Sequence, residues 1–267
     1  MENSVFTYFS SLNAPEHICH LYYEDSECYE IGTDFLLHGV QSGNSCIYMS
    51  DRPAPSDLLS RLRGHGISKF KGGNKKVFEE ILISNPVKES KKAELFINKV
   101  RSKIEGILKT GVKPIRILMV HSDNFYYFTN AERLWIRASL DKICLENPII
   151  LMNQFHIDRI SSRDALSVLK THPTLVEKNT VYKSPLYLTP ETVIKDLEKE
   201  AETFKALSDK EKKVLELIIN GLSNSGIANE LTISVKTVET HRANIMKKLG
   251  IHNLVDLVKF SMRNGIA

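Results

Sequence analysis

No stretch of the 267-residue chain approaches the roughly 18 consecutive apolar residues of a membrane helix. The opening MENSVFTYFSSLNAPEH lacks a basic start followed by an apolar run, so no secretory leader is expected either. Both absences predict a cytoplasmic protein with no membrane partner. Cysteine is scarce: Cys19, Cys28, Cys46 and Cys144 are scattered with no CxxC pair, which excludes a disulfide framework and a cysteine-rich zinc site. Internal repeats and low-complexity tracts are missing. So is the phosphate-binding pattern GxxxxGK[ST]. The turn after the first predicted strand is Glu24-Asp25-Ser26-Glu27, three acids where a phosphate loop needs glycines and a lysine. Gly72-Gly73-Asn74-Lys75 lies outside any strand-to-helix turn and reads as a loop. ATPase activity is therefore not expected, no catalytic or metal-binding set stands out, and no cofactor is implied.

What remains is an ordinary globular composition, 42% hydrophobic and 25% charged, long enough for one sizeable core plus a small module. The formal net charge is +4, and from Leu207 onward nine Lys/Arg face six acids, so most of the excess sits in the last part of the chain. That part reads LSDKEKKVLELIINGLSNSGIANELTISVKTVETHRANIMKKLG from Leu207 to Gly250. Ser208 or Asp209 is placed to cap a first helix that Gly221 stops, Ser223 a short second helix, and Ser234 a longer third. At 100° per residue from Val235, the residues Val238, Ile245, Met246 and Leu249 share an inner sector. Lys236, Thr240, Ala243, Asn244, Lys247 and Lys248 share the outer one. Small and hydrogen-bonding side chains come first on that outer face and lysines last, which suits a helix whose start meets base edges and whose end meets phosphates. Periodicity alone fits a solvated lysine face equally well. The same count places Arg242 inward, with Glu211 as its candidate partner.

The spacing of Leu207-Ser208, Glu211, Val214-Leu215, Gly221, Ser223-Asn224, Ile227-Ala228, Leu231, Ile233-Ser234, Thr237-Val238, His241, Ile245 and Lys248-Leu249 resembles the LuxR-type helix-turn-helix of bacterial transcription regulators. The resemblance implies a small all-α four-helix domain that binds double-stranded DNA. Base-edge contacts fall at Glu239, Thr240 and Ala243, backbone contacts at Lys236, Thr237, Arg242, Lys247 and Lys248, and Ser234 caps the reading helix among them. A fourth helix from about Asn253 to Asn264 implies a homodimer. One position departs: many members carry Glu where this chain has Gly226, so the capping box with Ser223 is lost.

Ahead of this module, HICHLYY (17–23) predicts a strand, and Asp25 or Ser26 caps a helix running towards Val40. SCIYMS (45–50) predicts a second strand, and Ser56 caps a helix ended by Gly64 and Gly66. VFEEILIS (77–84) reads as a strand or a helix. A helix follows from Glu89 to Lys109, then strands 115–121 and 149–155 with a helix from about Asn130 to Leu145 between them, and a short helix from Ser162 to Leu169. Alternating strands and helices predict a parallel sheet covered on both faces. Pro173 and Pro185 predict loop and edge structure for 172–187. Pro190–Phe204 predicts a linker helix, either pairing with its copy or solvated.

A phosphoaccepting receiver domain is disfavoured because Asp51 ends the second strand rather than the third. An acyl-homoserine-lactone sensor uses several tryptophans, where this chain has Trp135 alone. HICHLYYED (17–25), GTDFLLHGVQSGNSCIYMSD (32–51) and DALSVLKTHP (164–173) instead resemble the MEDS (methanogen/methylotroph sensory) domain. That resemblance implies a RecA/KaiC-like fold without the nucleotide loop, and sensing of a small effector linked to one-carbon or hydrocarbon-derived compounds. Three segments follow: a sensory α/β domain (1–189), a linker helix (190–206) and the helix-turn-helix domain (207–267).

Alternation along the first strand puts His17 and Cys19 on one face and His20 on the other, so one metal held by all three is incompatible with a regular strand. A site on His17 and Cys19 would need His121 or His156; the plainer reading is a buried thiol and a hydrogen-bonded ring. Open parallel sheets bind ligands beyond the carboxyl ends of their strands, where this chain carries Tyr23, Glu24, Ser50, Asp51, His121, Asp123, Gln154 and His156. Those residues read as a pocket or as caps and solvated loops. The expected ligand set is His17, Cys19, Tyr23, Glu24, Asp51, His121 and His156. A regulator is expected; the alternative is a protein-docking or enzyme-like first domain anchored by the DNA module.

Overall fold

The computed structural model describes residues 4–65, 78–82, 91–109, 111, 114–121 and 128–263, and side chains only as far as 261. Gly66, Gly72-Gly73-Asn74-Lys75, Val77, Ile83, Ser84, Glu89, Asp123 and Asn264, all named above, lie outside the described residues. The chain forms two compact units, 1–128 with 133–193 and 129–132 with 194–267.

In the first unit a short helix α1 (Val5–Ser11) leads into the series β1 (Glu16–Tyr22), α2 (Asp25–Gln41), β2 (Ser45–Ser50), α3 (Ser56–Gly64) and β3 (Phe78–Leu82). It continues with α4 (Lys92–Leu108), β4 (Ile115–Val120), α5 (Asn130–Glu146), β5 (Ile149–His156), α6 (Ser162–Thr171), β6 (Thr174–Glu177) and β7 (Thr180–Lys183). Among the described residues these strands make one sheet ordered β3-β2-β4-β5-β1-β6-β7, parallel throughout except for the antiparallel β6–β7 hairpin. The expected parallel α/β architecture is present.

Both faces of the central strands are buried, which is why they read as continuous apolar runs rather than alternating ones. Cys46, Tyr48, Leu118, Ile150, Met152 and Ile18 pack under α1, α2 and α3 through Phe9, Phe35, Leu36, Leu58 and Leu62. Ile47, Met49, Ile117, Met119 and Leu151 pack under α4 and α5 through Phe96, Val100, Ile104, Ile136 and Leu140. The glycines of 32–51 fit this packing. A Cβ on Gly39 would lie 2.6 Å from Cys46 Sγ and 2.7 Å from Arg116 Cδ, so α2 can approach the sheet this closely only without a side chain there. Arg116, 1% exposed, donates to the carbonyl of Phe35 at 2.9 Å and lies over its ring, fastening α2 to β4.

Several expectations need correction. The N-cap of α2 is Glu24, with no side-chain capping bond, rather than Asp25 or Ser26. Pro55, not Ser56, caps α3. Segment 77–84 is a strand where described; within 172–187, residues 174–177 form an interior strand between β1 and β7, and 180–183 supply the expected edge. Propensity and proline position are local signals, and strand pairing overrode them.

The second unit continues α7 (Pro190–Lys205) from Ile194, with α8 (Asp209–Ile219), α9 (Asn224–Leu231), α10 (Val235–Leu249) and α11 (Leu254–Arg263). Leu207, Val214, Leu215, Ile218, Ile227, Ala228, Val238, Ile245 and Leu257 form its core. Gly221 and Gly250 end α8 and α10 in the left-handed region (φ 82° and 64°), and Thr232 takes the same conformation after α9. No helix of the described residues is long and apolar enough to cross a membrane.

Candidate functional sites

The helix-turn-helix is built on three side-chain caps. Ser208 Oγ accepts the Glu211 amide at 3.3 Å while Glu211 Oε2 accepts the Ser208 amide at 2.7 Å, a complete capping box. Ser223 Oγ accepts from Gly226 at 3.2 Å and Ser234 Oγ from Thr237 at 3.0 Å. These fix the start of α10, whose inner residues Val238 and Ile245 are buried and whose Lys236, Thr237, Glu239, Thr240, Ala243, Asn244 and Lys247 are exposed. The outer face expected from periodicity is thus an open surface. Thr240 Oγ1 donates to the Lys236 carbonyl at 3.0 Å, which orients its free lone pair outward.

Glu211 does not take Arg242. Its Oε2 accepts Lys248 Nζ at 2.7 Å, and Lys248 also donates to the Ala206 carbonyl at 3.2 Å. Lys248 reaches back from the end of α10 over the start of α8, and it holds the Glu211 carboxyl below its ordinary value. Half-buried Arg242 has no ionic partner among the described residues, which leaves its flexible stem free to carry the guanidinium outward. Of the two terminal lysines, Lys247 is the uncommitted one.

In the first unit, the face covered by α5 and α6 carries a chain of polar groups. Tyr187 Oη donates to Asp141 Oδ2 at 2.8 Å, and His17 Nδ1 donates to Asp141 Oδ1 at 3.0 Å. Asn153 Nδ2 donates to Nε2 of His17 at 2.8 Å and of His172 at 3.2 Å, while its Oδ1 accepts from His121 Nε2 at 2.9 Å. His172 Nδ1 donates to the Val168 carbonyl at 3.0 Å. All these bonds coexist only if His17 and His172 carry their proton on Nδ1 and His121 carries its own on Nε2. Burial pushes His121 down to about 4 and His172 well below its ordinary value. Beside this chain Arg133 grips Asp164 bidentately at 2.8 and 3.0 Å, and Arg137 donates to Asp164 at 3.2 Å and to Ser167 Oγ at 2.9 Å. Burial pushes the Asp164 carboxyl up, yet the two guanidinium groups and Ser161 outweigh it and hold it below its ordinary value.

The predicted ligand residues do not converge. His17 and His121 are joined through Asn153, but Cys19 faces Phe155, Val168 and Leu175, its thiol pushed up by burial. Tyr23 Oη donates to Glu177 Oε1 at 3.0 Å, Glu24 is exposed, and Asp51 accepts from Ser50 Oγ at 3.4 Å. His156 accepts the Asp158 amide at 3.3 Å as the cap of a 3-10 turn, Ile157–Arg159. Among the described residues no three His, Cys, Asp or Glu are arranged to hold a metal. Sequence reasoning missed Asn153, Asp141, Asp164, Arg133 and Arg137. Asn153-Gln154 inside the apolar IILMNQF was the available signal, because a polar pair in a strand buried on both faces requires partners.

The sheet has its topological switch beside β1. The helix after β1 lies on one face and the helix after its neighbour β5 on the other, and open α/β sheets take ligands at the carboxyl ends of such a pair. At the end of β1 Glu27, in the first turn of α2, turns back. Its Oε2 accepts the Tyr23 amide at 3.2 Å and its Oε1 the Lys178 amide at 3.1 Å. On the inner side Gln154 Nε2 donates to His20 Nδ1 and to the Cys28 carbonyl, both at 2.9 Å.

Residues 16–173 match the family described as MEDS: MEthanogen/methylotroph, DcmR Sensory domain, and residues 205–261 match Bacterial regulatory proteins, luxR family. The uncharacterized response regulatory protein YgeK of Escherichia coli (strain K12) is 38% identical over 99 residues, 36% of this chain and 67% of that protein. The oxygen regulatory protein NreC of Staphylococcus aureus is 35% identical over 123 residues, 41% of this chain; the chain spans 56% of the length of NreC. Full-length FixJ from B. japonicum aligns over 84% of this chain and 98% of its own at 21% identity, with a TM-score of 0.27. A protein of Pyrococcus horikoshii OT3 aligns over 70% of this chain and 98% of its own at 9% identity, with a TM-score of 0.41. Superpositions this loose add nothing to the strand order given above.

Proposed function

The chain belongs to the MEDS family and carries a luxR-family DNA-binding module, and from that premise we propose that it is a one-component transcription regulator that reads DNA as a homodimer and whose first domain senses a small effector. The arrangement we propose is a sensory domain (1–189), a linker helix (190–206) and a DNA-binding domain (207–267). The observation that carries the reading is α10. Its Glu239–Thr240–Ala243 face is exposed, with Lys236, which donates to Glu239 Oε2 at 3.4 Å, and Lys247 at either end. Hydrogen-bonding groups set between cations suit base edges between phosphates. The sensing role is supported by the switch point of the sheet and by the family description. Dimer formation is supported by the exposed Leu254 and Val255 of α11, 50% and 62% accessible on a helix whose Leu257 and Phe260 are buried.

Genome-wide footprinting of the full-length protein supplies operators. Binding of wild type and Thr240→Ala is then compared on an operator and on random DNA. Thr240→Ala is expected to lose roughly 1 to 3 kcal/mol of preference for the operator. Equal losses on both DNAs reject the base-reading role.

A further inference from the structure

The switch point beside β1 contains a buried donor with nothing to donate to. His20 is 0% exposed. Its Nδ1 accepts from Gln154, so the ring proton sits on Nε2, and that atom has no hydrogen-bond partner. It points towards Glu27 Oε1 but stops 3.8 Å away, beyond hydrogen-bonding range. Glu27 meanwhile satisfies two backbone amides from different parts of the chain, Tyr23 after β1 and Lys178 in the β6–β7 turn. Three N–H groups therefore converge on one place, and the carboxylate there reaches two of them. An unmade bond on a buried ring is costly, and native structures rarely keep one without a use.

We propose that this place is the effector site of the sensory domain, and that its ligand is a small monocarboxylate whose oxygens replace those of Glu27 on Tyr23 and Lys178 and supply the acceptor that His20 lacks. The proposal rests on the reading of the first domain as a sensor. The present occupant identifies the chemistry, since the site already holds a carboxylate on two amides. A second negative charge, as on phosphate, is disfavoured because the acids Glu24 and Asp25 adjoin the site in sequence and Glu177 is bonded to Tyr23 Oη there. Glu27 has a way out: its side chain is 19% exposed and can turn into solvent. The movement has somewhere to go, because Lys178 begins the turn into β7. The segment after β7 reaches Tyr187, on Asp141, and then Pro190, the first residue of α7.

Full-length protein labelled with ¹⁵N-tyrosine and ¹⁵N-histidine, nine of each, is titrated with sodium acetate at constant ionic strength, with sodium chloride and sodium phosphate as parallel arms. In Glu27→Ala the Tyr23 amide and the His20 ring nitrogens should shift saturably with acetate. Half-saturation should come at about tenfold lower concentration than in wild type, where the tethered Glu27 competes at a high effective concentration. If Glu27→Ala does not fold, Glu27→Gln takes its place with the same expectation. No saturable shift, or the same shift with chloride, overturns the site; saturation by phosphate but not acetate overturns the ligand class. Operator affinity is measured on the same samples. A filled site that leaves operator affinity unchanged overturns the effector role while DNA reading stands. Loss of specific DNA binding in every sample, whatever the shifts, instead counts against the proposed function itself.

Discussion

The two units use polar residues in opposite ways. In the second, the polar side chains of α10 lie outside an apolar core, and the ion pair turned inward is Glu211 with Lys248. In the first, residues that look like chemistry are interior: His17, His172, Asp141, Asn153, Arg137 and Asp164 are all nearly or fully buried and bonded to one another. A DNA-reading surface has to be exposed to work, so its residues advertise it. A sheet covered on both faces must satisfy every polar group it encloses, so its histidines and acids can be structural without being catalytic. The MEDS-like segments show this directly. DALSVLKTHP contributes Asp164, which holds two arginines of α5, and His172, which closes the Asn153 network.

The largest test of the contrast is Asp164→Ala. It leaves Arg133 and Arg137 buried without their carboxylate, and the first unit should lose about 3 to 5 kcal/mol. Trp135 lies in α5 against the core of that unit alone, so its fluorescence on urea unfolding reports the loss. A shift in midpoint below the equivalent of about 1 kcal/mol would mean that the arginines find other partners.

Glu211→Gln is the matching test in the second unit, with an expected loss of about 1 to 2 kcal/mol from the charged Lys248 bond, since glutamine can still close the capping box. Because Lys248 holds the folded Glu211 carboxyl below its ordinary value of 4.5, the contribution is complete above that value. It disappears as pH falls through the lower folded value. Thermal melts should therefore show a wild-type advantage over Glu211→Gln at neutral pH that shrinks under acid conditions. An advantage independent of pH points to capping geometry rather than charge.

The terminal lysines separate an uncommitted charge from one tied to the fold within one helix. Lys247→Ala should lower the magnitude of the log K against log salt slope for DNA by about 0.9, the value for one lost phosphate contact. Lys248→Ala should change that slope less and lower the melting temperature instead. Equal slopes would place Lys248 on DNA as well, which the sequence alone had suggested. The smallest effect is expected at Gly226, where an added Cβ would meet Ser223 Oγ at 3.5 Å and Leu222 Cβ at 3.7 Å, ordinary contacts. Gly226→Glu should complete a second capping box and stabilise the unit by roughly 0.5 to 1 kcal/mol. A destabilised variant would show that α9 needs the glycine.

The sequence determined what depends on neighbours along the chain. Ser208, Ser223 and Ser234 announced the helix starts, Gly221 the stop of α8, and the 3.6-residue period the inner and outer faces of α10. Strands alternating with helices announced a parallel sheet covered on both sides, and alternation along the first strand put His17 and His20 on opposite faces, as their partners show. Partners distant in sequence were decided by tertiary structure. Lys248 rather than Arg242 reaches Glu211, since α10 crosses α8 at its C-terminal end and an angular count on one helix contains no information about crossing. Asn153 gathers His17, His121 and His172 from three separate segments only because β5 lies between β4 and β1. The three acids of the first turn looked merely hostile to phosphate; the fold turned one of them, Glu27, back onto Tyr23 and Lys178. Local periodicity is a property of the chain, whereas strand order and helix crossing are set by how the whole apolar surface is buried at once, and those two decide which polar groups meet.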